Sequence, residues 1–135
     1  MMFEPTDKLD KMQARLKKRG LTQTVPKTWG EELIFVSNDL YCGKILVFKE
    51  KASLSLHTHL EKRETFYCKS GKFALVGVDA KTSERYSFDL NPGDVVDILP
   101  GQFHKLLVID PGEIIEVSTK DDPRDNIRIE ASQSK

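Results

Sequence analysis

Residues 55–64 read SLHTHLEKRE, and this short stretch decides how the rest of the chain is interpreted. Side chains two apart on a β-strand leave the same face of the sheet, so His57 and His59 are directed toward one place. Residues 60–63 form a turn, and Glu64 opens the next strand. The sequence therefore predicts that one carboxylate meets two imidazoles.

The third histidine, His104, follows a separate turn and begins an apolar strand. Neutral imidazoles and a carboxylate suit a divalent transition metal and leave two positions of an octahedral ion open for a substrate. The competing interpretation, solvated or core histidines, is less favoured because the apolar neighbours offer few hydrogen-bond partners. We predict one divalent transition metal (Zn, Mn, Fe, Ni or Co), held by His57, His59, Glu64 and His104.

Size and charge restrict the class of protein. A chain of 135 residues fits one domain. It has 21 Lys+Arg and 21 Asp+Glu, so no positive excess attracts nucleic acid. No apolar run approaches the roughly 20 residues that span a bilayer, and the first ten residues lack the pattern of a secretory signal. We expect a cytoplasmic protein with neither nucleic-acid nor membrane partners.

The pattern divides the chain into an N-terminal helix and extension (1–26), a β domain (27–130) and a disordered tail (131–135). Leu9, Met12 and Leu16 share one face of the predicted helix, which Gly20 ends. Strands are predicted near 31–36, 41–49, 53–58, 64–69, 72–78, 85–89, 94–98, 103–109 and 113–119, with a last edge strand around 127–129. Many short strands at even spacing indicate a sandwich or barrel.

The spacing of the predicted ligands resembles the two sequence motifs of the cupin family. The first motif is matched by His57, His59, Glu64 and Gly71, and the second by Pro92, Gly93, Asp94, Gly101 and His104. Lys51, Leu99 and Val108 stand where the motifs have Gly, Pro and Asn, and none of these departures removes a ligand. The resemblance, over about 31–119, implies an all-β, single-domain cupin (jelly-roll β-barrel), here with a short N-terminal helix.

A narrower resemblance concerns activity. Segments 55–57, 64–67, 114–117 and 121–122 are similar to the cupin part of type II mannose-6-phosphate isomerases, and segments 29–32 and 41–44 resemble small sugar isomerases of the D-lyxose isomerase kind. The resemblance implies a metal-dependent aldose–ketose isomerase acting on a sugar or sugar phosphate. Two alternatives use the same ligands: an Fe(II)-dependent cupin dioxygenase, and a non-catalytic cupin that binds a sugar or small metabolite.

Glu116 and Lys44 are the predicted catalytic pair, because each is an isolated charge in an otherwise apolar strand. Glu116 would move the proton, and Lys44 would act as electrophile or phosphate ligand. The competing interpretation puts both on the solvent face, since alternation fixes relative but not absolute facing. The predicted substrate contacts are Arg63, Lys105 and Arg128 for an anion and Tyr41 for the pocket wall. Exposed sheet edges favour a homodimer.

Overall fold

The computed structural model describes residues 11–20, 22–130 and 133–134, the last two by their backbone only. In the N-terminal part it contains a short 3-10 helix, Met12–Arg15. The predicted helix also covered residues up to 10, which lie outside the described residues, and residues beyond Arg15, which leave the helix at an extended Leu16. Met12 and Leu16 are largely exposed, so within residues 11–20 no buried face supports the predicted helix. No helix in the described part has the length and apolar character needed to cross a bilayer.

The rest of the described chain consists of short strands. Their bounds are β1 Gln23–Lys27, β2 Gly30–Ser37, β3 Tyr41–Phe48, β4 Ala52–Ser53, β5 Leu56–Thr58, β6 Glu64–Cys68, β7 Lys72–Val78, β8 Arg85–Leu90, β9 Val95–Ile98, β10 His104–Asp110, β11 Gly112–Thr119, β12 Ile127–Glu130 and β13 Gln133–Ser134. Turn residues separate them, as the sequence indicated.

The strands form two sheets in which all the described pairings are antiparallel. One sheet has the order β1-β2-β3-β11-β6-β9. The other has the order β12-β5-β10-β4-β13, and β7 joins it along β10 and carries β8. Neighbours in each sheet are mostly far apart in sequence, as in a jelly roll. The predicted all-β fold is confirmed.

Three local features differ from the sequence prediction. Strand β1, placed in the N-terminal extension, pairs with β2 along the edge of its sheet, where Pro26 loses no necessary hydrogen bond. The predicted strand over 53–58 is interrupted between β4 and β5, where the Leu54 N–H donates to the Leu106 carbonyl (2.9 Å). Within the tail predicted to be disordered, β13 pairs with β4, which gives the backbone groups of β4 a partner.

The inward faces of four central strands have an apolar part and a polar end. On β6 the buried residues are Glu64, Phe66 and Cys68; on β10 they are His104, Leu106 and Val108. Strand β3 buries Lys44, Leu46 and Phe48, and β11 buries Ile114 and Glu116. The apolar residues pack with Trp29, Phe73 and Leu75 into one core. The polar residues gather at its end, which is where the candidate site lies.

We expect Phe73→Ala to lower the free energy of unfolding by about 3–5 kcal/mol, because it removes a fully buried ring from this core. Urea unfolding measures the loss. Phe88→Ala is the matched control, since Phe88 lies on the neighbouring strand and is 40% exposed. A loss for Phe73→Ala no larger than that for Phe88→Ala would contradict the assignment of the core.

Candidate functional site

A cavity of about 580 Å³ opens at the polar end of the core. Its apolar walls include Trp29, Leu46, Phe66 and Leu106. Its polar walls bring together groups from both sheets: His57, His59 and His104 on one side, and Lys44, Lys62, Glu64 and Glu116 on the other. Such a pocket, with apolar walls and a few convergent polar groups, is typical of a small-molecule site.

The three imidazoles are oriented in the same way. Each Nδ1 lies within hydrogen-bond distance of a backbone carbonyl oxygen: that of Ser55 for His57 (3.0 Å), of Asp125 for His59 (2.5 Å) and of Gln102 for His104 (2.9 Å). Because a carbonyl oxygen only accepts, each Nδ1 is the protonated donor, and the Nε2 of a neutral ring keeps its lone pair. This is the arrangement that histidine ligands of metals usually have.

Three of the four predicted ligands have donor atoms close together. One ligand atom from each of His57, Glu64 and His104 lies within 4.8 Å of the others. Glu64 Oε1 and His104 Nε2 are 3.0 Å apart and buried, and neither has a hydrogen-bond partner among the described residues. When the His104 ring is neutral with Nδ1 protonated, both facing atoms carry lone pairs, and a cation between them would satisfy both. A divalent metal fits this donor set of nitrogen and oxygen.

His59 lies beside this group rather than within it. Its ring centroid is 5.0 Å from that of His57 and 6.3 Å from that of His104. The side chain is buried, lines the cavity, and is fixed by the Asp125 carbonyl. Its ligand atoms are not part of the group that lies within 4.8 Å, so a role as fourth ligand stays a prediction.

Burial keeps His57 in the protonation state that a ligand needs. Loss of water, and next the proximity of His104, lower the pKa of His57 to about 4. The ring is therefore neutral at neutral pH. Neutral imidazole is the form that coordinates a metal.

Lys62, which the sequence analysis did not single out, lies at the centre of the charged groups. Its Nζ is 3.1 Å from Glu116 Oε2, 3.3 Å from Glu64 Oε2 and 3.2 Å from Asp121 Oδ1. The side chain is only 4% exposed. Burial alone would lower the pKa of Lys62, but Glu116, Glu64 and Asp121 outweigh it and raise that pKa. Lys62 is thus a buried ammonium ion shared by three carboxylates.

Glu116 and Lys44 are opposite each other on β11 and β3, and both line the cavity. Burial, and then the negative charge of Glu64, raise the pKa of Glu116 against the opposing effect of Lys62 and Lys44. Lys44 Nζ lies 3.1 Å from Asp121 Oδ2 and 3.6 Å from Glu32 Oε1. A buried carboxylate with a raised pKa is suited to proton transfer near neutral pH.

Asp125 fixes the loop between β5 and β6. Its carboxylate accepts the backbone N–H groups of Leu60 (2.6 Å), Glu61 (3.1 Å) and Lys62 (3.0 Å), while its carbonyl holds His59. The segment between β11 and β12 thus orients residues of another loop. Only the concentration of acidic residues at 121–125 marks this segment in the sequence.

The structure does not bring all the predicted substrate contacts into the cavity. Arg63 and Lys105 are each one residue away from an inward ligand, so the pleat directs them outward, where they pair with Asp97 and Glu130. Tyr41 is 53% exposed and lies outside the lining residues. Arg128 lines the cavity, in register with His57 across β12 and β5.

The chain is similar in sequence to a curated protein. The chain is 31% identical to a protein of Thermosediminibacter oceani described as D-lyxose/D-mannose isomerase, and the match covers 70% of this chain and 65% of that protein. The chain therefore spans slightly less than two thirds of this relative. No family model matches the chain.

Solved structures with the same fold belong to larger proteins. The capsular polysaccharide assembling protein CapF of Staphylococcus aureus superposes with a TM-score of 0.69 at 19% identity, over 82% of this chain and 33% of its own. Oxalate decarboxylase of Bacillus subtilis superposes with a TM-score of 0.69 at 18% identity, over 81% of this chain and 30% of its own. At these identities the likeness establishes the fold.

Proposed function

We propose that this chain, which has the cupin fold, is a metal-dependent isomerase that interconverts an aldose and its ketose. The observation that carries the proposal is the position of Glu116: a buried carboxylate lines the same cavity as the candidate ligands and is joined to Glu64 through one ammonium group. The relative described as D-lyxose/D-mannose isomerase supports a sugar as the substrate. We propose D-lyxose, D-mannose or a phosphate ester of such a sugar.

The proposed ligands are His57, His59, Glu64 and His104, and they would hold one divalent ion of the Zn, Mn, Fe, Ni or Co group. Two findings support this set: the unpartnered Glu64 Oε1 and His104 Nε2, and the common orientation of the three rings. When bound, such an ion polarises the sugar carbonyl as a Lewis acid.

The side chains of the protein itself carry out the proton transfer. The Glu116 carboxylate takes the proton from C2 of the open-chain aldose and returns it to C1, while the proton of the C2 hydroxyl passes to the C1 oxygen. No atom is gained or lost, and the product is the ketose. A positioned base of this kind contributes about 10²–10⁴-fold to the rate.

The remaining charged groups of the cavity bind and orient the substrate. Lys44 presents an ammonium group held by Asp121 and Glu32, and we propose that it contacts a sugar oxygen or a phosphate. Arg128 has no carboxylate within ion-pair distance among the described residues, so its charge is available to a ligand. Apolar Trp29 and Phe66 limit the access of water.

Proton exchange in ²H₂O tests the proposed function directly. Protein loaded with Mn²⁺, and separately with Zn²⁺, Fe²⁺, Ni²⁺ or Co²⁺, is incubated with D-lyxose or D-mannose and followed by NMR. We expect metal-dependent formation of the ketose, with loss of the C2 proton signal, and none in chelator-treated protein. The absence of both with every metal would contradict an isomerase; uptake of oxygen with Fe²⁺ would favour the dioxygenase, and binding without turnover a non-catalytic cupin.

We also propose that the protein is a homodimer in the cytoplasm. Strands β8 and β9 end their parts of the sheets without a further described partner, and Val95 on β9 is 61% exposed. Exposed strand edges of this kind favour pairing with a second copy. Light scattering coupled to size exclusion measures the mass, and we expect twice 15.4 kDa.

A further inference from the structure

The two carboxylate oxygens of Glu64 have different neighbours: Lys62 lies beside one, and His104 lies beside the other. Oε2 lies 3.3 Å from Lys62 Nζ, whereas Oε1 lies 3.0 Å from His104 Nε2 and has no hydrogen-bond partner among the described residues. One oxygen is therefore already engaged by a protein cation, and the other is directed at the ligand nitrogens. A carboxylate held in this way offers one oxygen, not two, to an ion at the centre.

The number of oxygens matters for catalysis. If His57, His59, His104 and one oxygen of Glu64 held a six-coordinate ion, two positions would stay free for the substrate. If both oxygens of Glu64 were bound, one of those two positions would be lost. A sugar that binds through its C1 and C2 oxygens needs both positions.

The same ammonium group holds the proposed base. Lys62 Nζ lies 3.1 Å from Glu116 Oε2 and donates a hydrogen bond to it. Glu64 and Glu116 are thus connected through a single atom, and a shift of Lys62 would displace the metal ligand and the base together. Asp121 completes the arrangement, since its two oxygens accept from Lys62 and from Lys44.

The backbone of Lys62 is held in place by Asp125. Its backbone N–H donates to the Asp125 carboxylate at 3.0 Å, and the Asp125 carbonyl is 2.5 Å from His59 Nδ1. The loop that carries the ammonium group and one of the candidate ligands is therefore anchored on one residue.

From this geometry we infer that Lys62 is a positioning residue: it restricts Glu64 to one coordinating oxygen and aligns Glu116 with the same centre. The inference rests on the proposed function for its catalytic part, while its effect on metal binding stands independently. Preorganisation of a ligand by a group behind it typically changes metal affinity by about 10–100-fold.

The test compares Lys62→Met with Lys62→Arg and with the control Lys69→Met, since Lys69 is an exposed lysine paired with Glu113. The Mn²⁺ dissociation constant is measured by electron paramagnetic resonance of free Mn²⁺, and kcat and KM are measured at saturating metal. For Lys62→Met we expect Mn²⁺ affinity to change about 10–100-fold and kcat to fall about 10²-fold or more with KM nearly unchanged. Lys62→Arg should restore the Mn²⁺ affinity in part and kcat in part. Lys69→Met should match the wild type in both quantities.

If Lys62→Met does not fold, the double variant Lys62→Met/Glu116→Gln is measured in its place. It removes one charge of each sign, so neither of these two groups is left as a buried charge without its partner. Its Mn²⁺ affinity should still differ about 10–100-fold from that of Glu116→Gln. Unchanged Mn²⁺ affinity in folded variants would overturn the inference. A wild-type protein that binds Mn²⁺ but isomerises no sugar would instead contradict the proposed function, with the affinity comparison still deciding the role of Lys62.

Discussion

Glu64→Ala and His57→Ala proteins are expected to contain almost no metal after purification, whereas the wild type contains about one equivalent per chain. Each substitution removes a donor from the group whose atoms lie within 4.8 Å of one another. In Glu64→Ala the remaining imidazoles bring no negative charge to balance a divalent ion, so the loss should be the more complete of the two. Elemental analysis of dialysed protein measures the content.

Glu113→Ala is the matched control for this comparison. Glu113 lies on β11 and pairs with Lys69 on the protein surface. Its removal should leave the metal content at the wild-type level. Metal retained by the Glu64→Ala and His57→Ala proteins at that same level, with their circular dichroism unchanged, would show that the ion binds elsewhere or that none is needed.

Glu116→Gln is expected to lower kcat by about 10²–10⁴-fold without changing the metal content. The amide has nearly the shape of the carboxylate, and its oxygen still accepts from Lys62, so the fold and the ligands are retained. What is lost is a group that takes a proton from carbon. Exchange of the C2 proton, measured by NMR, should fall in proportion to kcat.

Glu113→Gln serves here as control, because it makes the same chemical change on the same strand but on the exposed side. Its kcat should equal that of the wild type. If Glu116→Gln kept full exchange at C2, Glu116 would be a structural partner of Lys62 and another group would be the base. If both activity and metal were lost together, the carboxylate would instead be needed to hold the site.

The proximity of His57, Glu64 and His104 was predictable because much of its signal is local. His57 lies on one strand and Glu64 opens the next, so the turn between them brings the imidazole and the carboxylate to the same end of the core. His104 was predictable from its place at the start of an apolar strand. The fold followed from the same alternation together with the regular turns.

The facing of Glu116 and Lys44 was not predictable, because alternation alone is symmetric between the two faces of a sheet. In the structure, the facing follows from the rest of each strand, because β3 and β11 bury their apolar residues on the face that carries Lys44 and Glu116. The outward positions of Arg63 and Lys105 follow from the same rule applied to their neighbours, Glu64 and His104.

Lys62 and Asp125 could not be found from the sequence, because they lie in charged loops where no period applies. Their roles come from contacts across more than 60 residues, such as that between the Lys62 N–H and Asp125. Strand β13 was missed for a similar reason, since its pairing with β4 depends on where a distant edge lies.

The division of β3, β6, β10 and β11 into an apolar part and a polar end has an evolutionary consequence. Under the proposed function, substitutions at Lys44, Glu64, His104 or Glu116 would alter reactivity while the packing of Phe48, Cys68, Val108 and Ile114 persists. New chemistry can thus arise on this frame by exchange of a few residues at the ends of strands. Two proteins that share the fold of this chain, one described as capsular polysaccharide assembling and the other as oxalate decarboxylase, each match it at fewer than one residue in five.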